Sequence, residues 1–158
     1  MTDAEISSRL SELGITLPPP PKPVAAYVPV VVSGSMAYVA GQVPMIDGMP
    51  VHPGHLGAGV STEDGAEAAR QAALQALSAL RAALGSFDRL VQILQVIVYI
   101  AAAPDFLDHP KVANGASDLL VDVLGIEAGS HARVAIGVGS LPLGASVEVQ
   151  VNAEVSSP

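Results

Sequence analysis

Two residues have the types and settings for chemistry on a small anionic molecule. Arg133 interrupts an otherwise apolar run, Ala132-Arg133-Val134-Ala135-Ile136-Gly137-Val138. A guanidinium in such a run must reach solvent or pair with something. Glu148 is the first acid of a strictly alternating segment, Ser146 to Val155. A short turn, Leu141-Pro142-Leu143-Gly144, joins the two segments and allows them to lie side by side. In that arrangement Arg133 can hold a carboxylate through two parallel N–H bonds, and Glu148 can orient or deprotonate a water. Periodicity alone favours a plainer reading, an ion pair at a sheet edge or an interface.

Other chemistry finds little support in the chain. It has no cysteine, which excludes disulfides, thiol catalysis and thiolate metal sites. Of the four histidines, His52 and His55 share a Gly/Pro-rich stretch with no carboxylate until Glu63, so they read as solvated loop residues and no metal site is expected. No phosphate-binding loop, GxGxxG or GxSxG motif occurs. The glycines of Gly57-Ala58-Gly59 precede a helix start, where an anion can bind, but Glu63 and Asp64 would repel one. Seven Lys and Arg stand against 15 Asp and Glu, for a net charge of −8. With only three Tyr, two Phe and no Trp there are no stacking platforms either, so no nucleic-acid partner is expected.

The elements that must position Arg133 and Glu148 follow from the pattern. Thr2 and Glu5 fit a capping box, Ile6, Leu10 and Leu13 make one helical stripe, and Gly14 ends it. The proline run from Pro18 to Pro23 reads as a stiff extended connector. Residues 1–23 are thus expected to form a helical arm and connector, and 24–158 the main domain. Strands are expected over Tyr27–Val32 and Met36–Val43, around a Ser33-Gly34-Ser35 turn, with a short Met49–Val51 strand after Asp47-Gly48. Thr62 is the expected cap of a helix whose stripe is Ala66, Ala69, Ala73, Leu77, Leu80 and Leu84, closed by Gly85. Leu90 to Ala103 is nearly continuous in hydrophobicity and reads as a central strand buried on both faces. One face can lie under helices; the other calls for a second cover, most simply another copy of the chain. A second helix is expected over Val112–Leu124, and strands over Ala132–Val138 and Ser146–Val155. Phe87 and Phe106 read as core. The segment Val91 to Ala103 is too short to span a bilayer, and the N-terminus lacks a signal-peptide pattern, so a soluble cytoplasmic protein is expected.

The segment His131-Ala132-Arg133-Val134-Ala135, through Leu141-Pro142, to Val147-Glu148-Val149 resembles the C-terminal signature of the Rid/YjgF family. Tyr38-Val39-Ala40-Gly41-Gln42-Val43-Pro44 is similar to the family's strand ending in Ser-Gly-Gln-(Ile/Val)-Pro. Tyr27 ahead of the first strand and Asn114 at the start of the second helix agree with it. The resemblance covers about Tyr27 to Val155. It implies an α+β, chorismate-mutase-like mixed sheet with two helices on one face, and a homotrimer with clefts between subunits. It further implies cofactor-free hydrolysis of reactive 2-imino (enamine) acids to 2-keto acids and ammonia. Arg133 would hold the substrate carboxylate, Glu148 would position the water, Gly41 and Asn114 would shape the pocket, and Tyr27 would close it from a neighbouring chain. Ala40 and Ala135 stand where many members carry Ser and Cys, which leaves open a second reading, a non-catalytic trimer that binds small carboxylates or carbonyl metabolites.

Overall fold

The computed structural model describes residues 1–22 and 26–157. Helix α1 (Asp3–Glu12) starts at the expected capping box: the Thr2 side chain accepts from the Glu5 N–H, and the Glu5 carboxylate accepts from the Thr2 N–H. Ile6 and Leu10 are buried in the main core, so α1 packs on its own domain. Asp3 ties it down. Its carboxylate accepts two bonds from Arg81, at 2.9 and 2.8 Å, and one from the Phe87 N–H at 2.9 Å. The Arg81 hydrogen bonds and then the Phe87 N–H hold the Asp3 carboxyl down at about 2. A depressed folded-state pKa adds stability above the unfolded value of about 3.9 and loses it as pH falls through about 2. Because Arg81 is close to half exposed, solvent screening leaves about 1 kcal/mol. Asp3→Asn should therefore lower stability by about 1 kcal/mol at pH 7 and by almost nothing at pH 2, as urea melts at the two pH values will show.

Strands β1 (Val30–Ser33) and β2 (Met36–Gln42) form a hairpin. The first strand begins at Val30 rather than at Tyr27. Gly34 supplies the positive φ that the first central position of this two-residue turn requires. Strands β3 (Met45–Ile46) and β4 (Met49–Pro50) flank Asp47-Gly48, both at positive φ. The expected loop of residues 52–62 contains two short strands, β5 (His55–Leu56) and β6 (Gly59–Val60). Helix α2 (Thr62–Leu84) is capped by Ser61 rather than Thr62: the Ser61 hydroxyl accepts from the Asp64 N–H. Gly85 ends it in the left-handed region, as expected. Then come β7 (Leu90–Ala101), α3 (His109–Gly129), β8 (Ala132–Val138) and β9 (Val147–Val155). Helix α3 starts earlier than expected, so Asn114 lies in its second turn. Gly125 breaks it at φ 78, ψ 168 instead of ending it.

The five long strands make one mixed sheet in the order β1-β2-β9-β7-β8. Only the β7–β8 pair is parallel; the others are antiparallel. This corrects the expected side-by-side placement of the last two strands, since β7 runs between β8 and β9. Helices α2 and α3 cover one face. The alternating residues Val147, Val149, Val151, Ala153 and Val155 point into that layer and are at most 1% exposed. Small residues let the helices touch: a Cβ on Gly115 would run into the Ala66 backbone.

The other sheet face is open within one protomer. Val31, Tyr38, Val134 and Ile136 are exposed there, and Ile97 and Tyr99 are half-buried. The expectation that β7 is buried on both faces therefore holds on one side of a single chain only. Among the described residues no helix is long and apolar enough to cross a membrane.

Candidate functional site

Sheet register decides which candidates can meet. Arg133 pairs with Val96, and Glu148 pairs with Tyr99 on the same strand, β7. Side chains alternate in direction along a strand, and paired residues share a face. Val96 is fully buried under the helices, whereas Tyr99 lies on the open face. Arg133 and Glu148 of one chain therefore sit on opposite faces of the sheet. Within a protomer they cannot form the ion pair, or share the cleft, that neighbouring strands would have allowed.

Two half-sites result. The first is at the free edge of the sheet, where β8 meets α3. The Arg133 Nη1 donates to Asn114 Oδ1 at 2.8 Å and to Ser117 Oγ at 3.2 Å. Asn114 and Ser117 are three residues apart and so face the same side of α3. Both acceptors are neutral. Among the described residues Arg133 makes no ion pair, which leaves its Nη2 and Nε free to meet an anion. Ser117, His131 and Arg133 line a shallow cavity of about 250 Å³. Ala135 follows two residues along on the same side, half-buried against the core.

The second half-site is on the open face, at a bulge in β2. Val39 pairs with Val151 and Gln42 with Val149, so β2 carries one extra residue across Ala40-Gly41. The bulge turns Gly41 towards Glu148. A Cβ at residue 41 would collide with the Glu148 carboxylate oxygen, which explains why glycine occupies that position. Glu148 is half-buried and makes no side-chain hydrogen bond among the described residues, and desolvation pushes its carboxyl pKa up. A carboxyl raised in this way holds and releases a proton closer to neutrality. Tyr27 and Gly41 line a neighbouring cavity of about 210 Å³, with Lys22 and Leu143 on its wall. The strained Leu143, at φ 59, comes from the Leu-Pro turn. The candidate residues thus divide into Arg133 with Asn114, and Glu148 with Gly41 and Tyr27.

Ser117 and His131 are polar residues at this half-site to which the sequence alone assigns no role. The Ser117 hydroxyl lies 3.0 Å from His131 Nε2, and His131 Nδ1 lies 2.6 Å from the Gly129 carbonyl. Their signal was spacing: Ser117 is three residues beyond Asn114 on a helix, and His131 is two before Arg133, just ahead of β8.

His52 is more than the solvated loop residue expected from the sequence. Its ring contacts Glu67 at 3.0 Å and Asp64 at 3.7 Å, so the loop is pinned to the first turns of α2. These three residues offer ligand atoms within 4.8 Å of one another, one short of the four donors of a structural tetrahedral site. All three are at least partly exposed. A larger hollow of about 950 Å³ between α1 and the end of α3, lined by Glu5, Arg9, Val91 and Ile126, contains none of the candidate residues.

Residues 7–155 match the family model described as "YjgF/chorismate_mutase-like, putative endoribonuclease". The chain is 41% identical over 157 residues to Protein TCP17 of Trypanosoma cruzi, covering 99% of this chain and 98% of that one. It is similar to the crystal structure of Atu1372, a protein of unknown function from Agrobacterium tumefaciens: 39% identity, TM-score 0.90, 98% of this chain and 94% of that one. A structure from Shewanella oneidensis under the same endoribonuclease label is 34% identical, with a TM-score of 0.90 over 94% of this chain and 98% of that one. The chain belongs to the YjgF/chorismate mutase-like family.

Proposed function

We propose that this protein is a cytoplasmic homotrimer that hydrolyses 2-imino acids to 2-keto acids and ammonia at sites shared between neighbouring chains. The observation that carries this reading is Arg133, a guanidinium fixed by two neutral oxygens with no acidic partner among the described residues. A carboxylate completes it through two parallel, charge-assisted bonds. The apolar open face supports assembly, because exposed patches of that kind mark contact surfaces. Assembly also resolves the split site: the Arg133 half of one chain can meet the Glu148 half of the next.

The chemistry required is modest. The imine carbon is electrophilic, so a water need only be held against it. Glu148 takes a proton from that water as the oxygen bonds to carbon, the C=N π pair moves onto nitrogen, and Glu148 passes the same proton to that nitrogen to give a neutral carbinolamine. The carbinolamine then collapses: Glu148 takes the hydroxyl proton and gives it to the nitrogen, the C=O bond forms as the C–N bond breaks with its pair on nitrogen, and ammonia leaves. A raised carboxyl pKa suits Glu148 to both proton transfers. RNA cleavage, the activity in the family label, would call for a basic groove that seven cationic side chains among 15 acids do not furnish.

The second reading is a trimer that binds small carboxylates without turning them over. Ala40 and Ala135 favour it, since neither brings a polar group to its half-site. To separate the two, 2-imino acids are generated in situ by an amino-acid oxidase and trapped with semicarbazide. The deaminase lowers semicarbazone yield in proportion to the protein added. Undiminished yield with both small and bulky imino acids would leave only the binding protein.

A further inference from the structure

The Arg133 half-site continues behind the arginine in a chain of hydrogen bonds whose directions are set by one carbonyl. His131 Nδ1 lies 2.6 Å from the Gly129 carbonyl oxygen, which can only accept, so Nδ1 carries the proton. In the neutral ring Nε2 is then an acceptor, and the Ser117 hydroxyl 3.0 Å away must donate to it. With its proton so committed, Ser117 presents lone pairs to Arg133, whose Nη1 donates to it at 3.2 Å. Asn114 Oδ1 accepts from the same nitrogen at 2.8 Å.

We infer that His131 and Ser117 are positioning residues that, by fixing the orientation of the Arg133 guanidinium, set the protein's affinity for the carboxylate of its ligand. This rests on the reading of Arg133 as a carboxylate anchor, and extends it to two residues that act through the arginine. The need for such a relay follows from exposure. Arg133 is exposed on a sheet edge, and a free arginine side chain there samples many rotamers. Bidentate recognition requires one of them. Two oxygens on α3 fix Nη1, and His131 ensures that one of those oxygens faces the arginine as an acceptor.

The test uses the full chain and pyruvate, a stable 2-keto acid, with pyruvamide as the counterpart that lacks the carboxylate. His131→Phe keeps the ring volume and removes both bonds; Ser117→Ala removes the hydroxyl; His131→Gln is the milder substitution if the phenylalanine does not fold. By titration calorimetry each single variant should bind pyruvate about 5- to 10-fold more weakly, the loss of one oriented bond to a charged group. The double variant should lose no more than the worse single one, because both act through the same hydroxyl. Ser117→Thr should restore binding, and pyruvamide binding should not change in any variant. Additive losses, or equal losses for pyruvamide, would overturn the relay. So would wild-type affinity in His131→Phe and Ser117→Ala while Arg133→Ala loses pyruvate, an outcome that leaves Arg133 as anchor. If Arg133→Ala also binds pyruvate normally, or the native protein does not bind it, the anchor reading fails together with the relay.

Discussion

Arg133→Ala folds like the native chain and loses about 100-fold in kcat/KM for 2-imino acids, the scale of a lost charge-assisted bidentate contact. Both halves of that expectation have structural grounds. Arg133 is exposed and its two bonds go to neutral acceptors near the surface, so truncation costs about 1 kcal/mol of stability or less. It leaves no buried charge behind. Binding is different, because the guanidinium has no acidic partner among the described residues and a ligand carboxylate would take that place. Arg133→Lys restores the charge but not the fork, and should recover only part of the loss, mostly in KM. Steady-state rates with the imine trap and a thermal melt of each variant decide the matter. A variant that melts far below the native chain would make Arg133 a structural residue.

The fold was largely legible because most of the chain obeys one period at a time. The final strand alternates without interruption, and every second residue is buried as its pattern requires. The long helix announced itself by Ala and Leu at three- and four-residue spacing and by Gly85. Legibility fails where the backbone departs from regular repeat. In β7 the buried residues run Leu90, Ile93, Val96, Val98, Ile100 and Ala101, spaced three, three, two, two and one. Bulges at Leu90/Gln92 and Ile93/Gln95 shift the register, and apolar residues such as Ile97 and Tyr99 continue the run on the open face, so local spacing does not show which residues the helices cover. The second helix ran past Gly125 because glycine permits a break without requiring a stop.

Site residues were legible by type but not by arrangement. Arg133 and Glu148 stand out as charges in apolar strands. Which face each occupies depends on pairing through β7, and pairing is long-range information that no local spacing contains. Chain order suggested adjacency for β8 and β9, whereas the parallel β7–β8 pair puts one strand between them. His52 was missed for a related reason: its carboxylate partners lie 12 and 15 residues onward, on a helix whose start folds back over the loop.

Opposite faces have a consequence that distinguishes a shared site from a private one. If each site joins the Arg133 half of one chain to the Glu148 half of its neighbour, two dead variants can complement each other. Arg133→Ala and Glu148→Gln homotrimers should both be nearly inactive, the first in binding and the second in proton transfer. In a mixed trimer of closed symmetry, one of the three junctions pairs an intact Arg133 with an intact Glu148, whichever variant is in the majority. Random mixing of equal amounts makes roughly three quarters of the trimers mixed, so roughly a quarter of all sites are native in composition. Coexpressed or refolded mixtures should then regain roughly a quarter of native activity from parents with almost none. The recovered sites should show the native KM, since each is chemically complete. Simple pooling of folded homotrimers should give nothing until subunits exchange. Activity that stays at the parental level in verified mixed trimers would place both residues' roles within one chain, and the opposed faces of the sheet would then rule out their acting on one substrate.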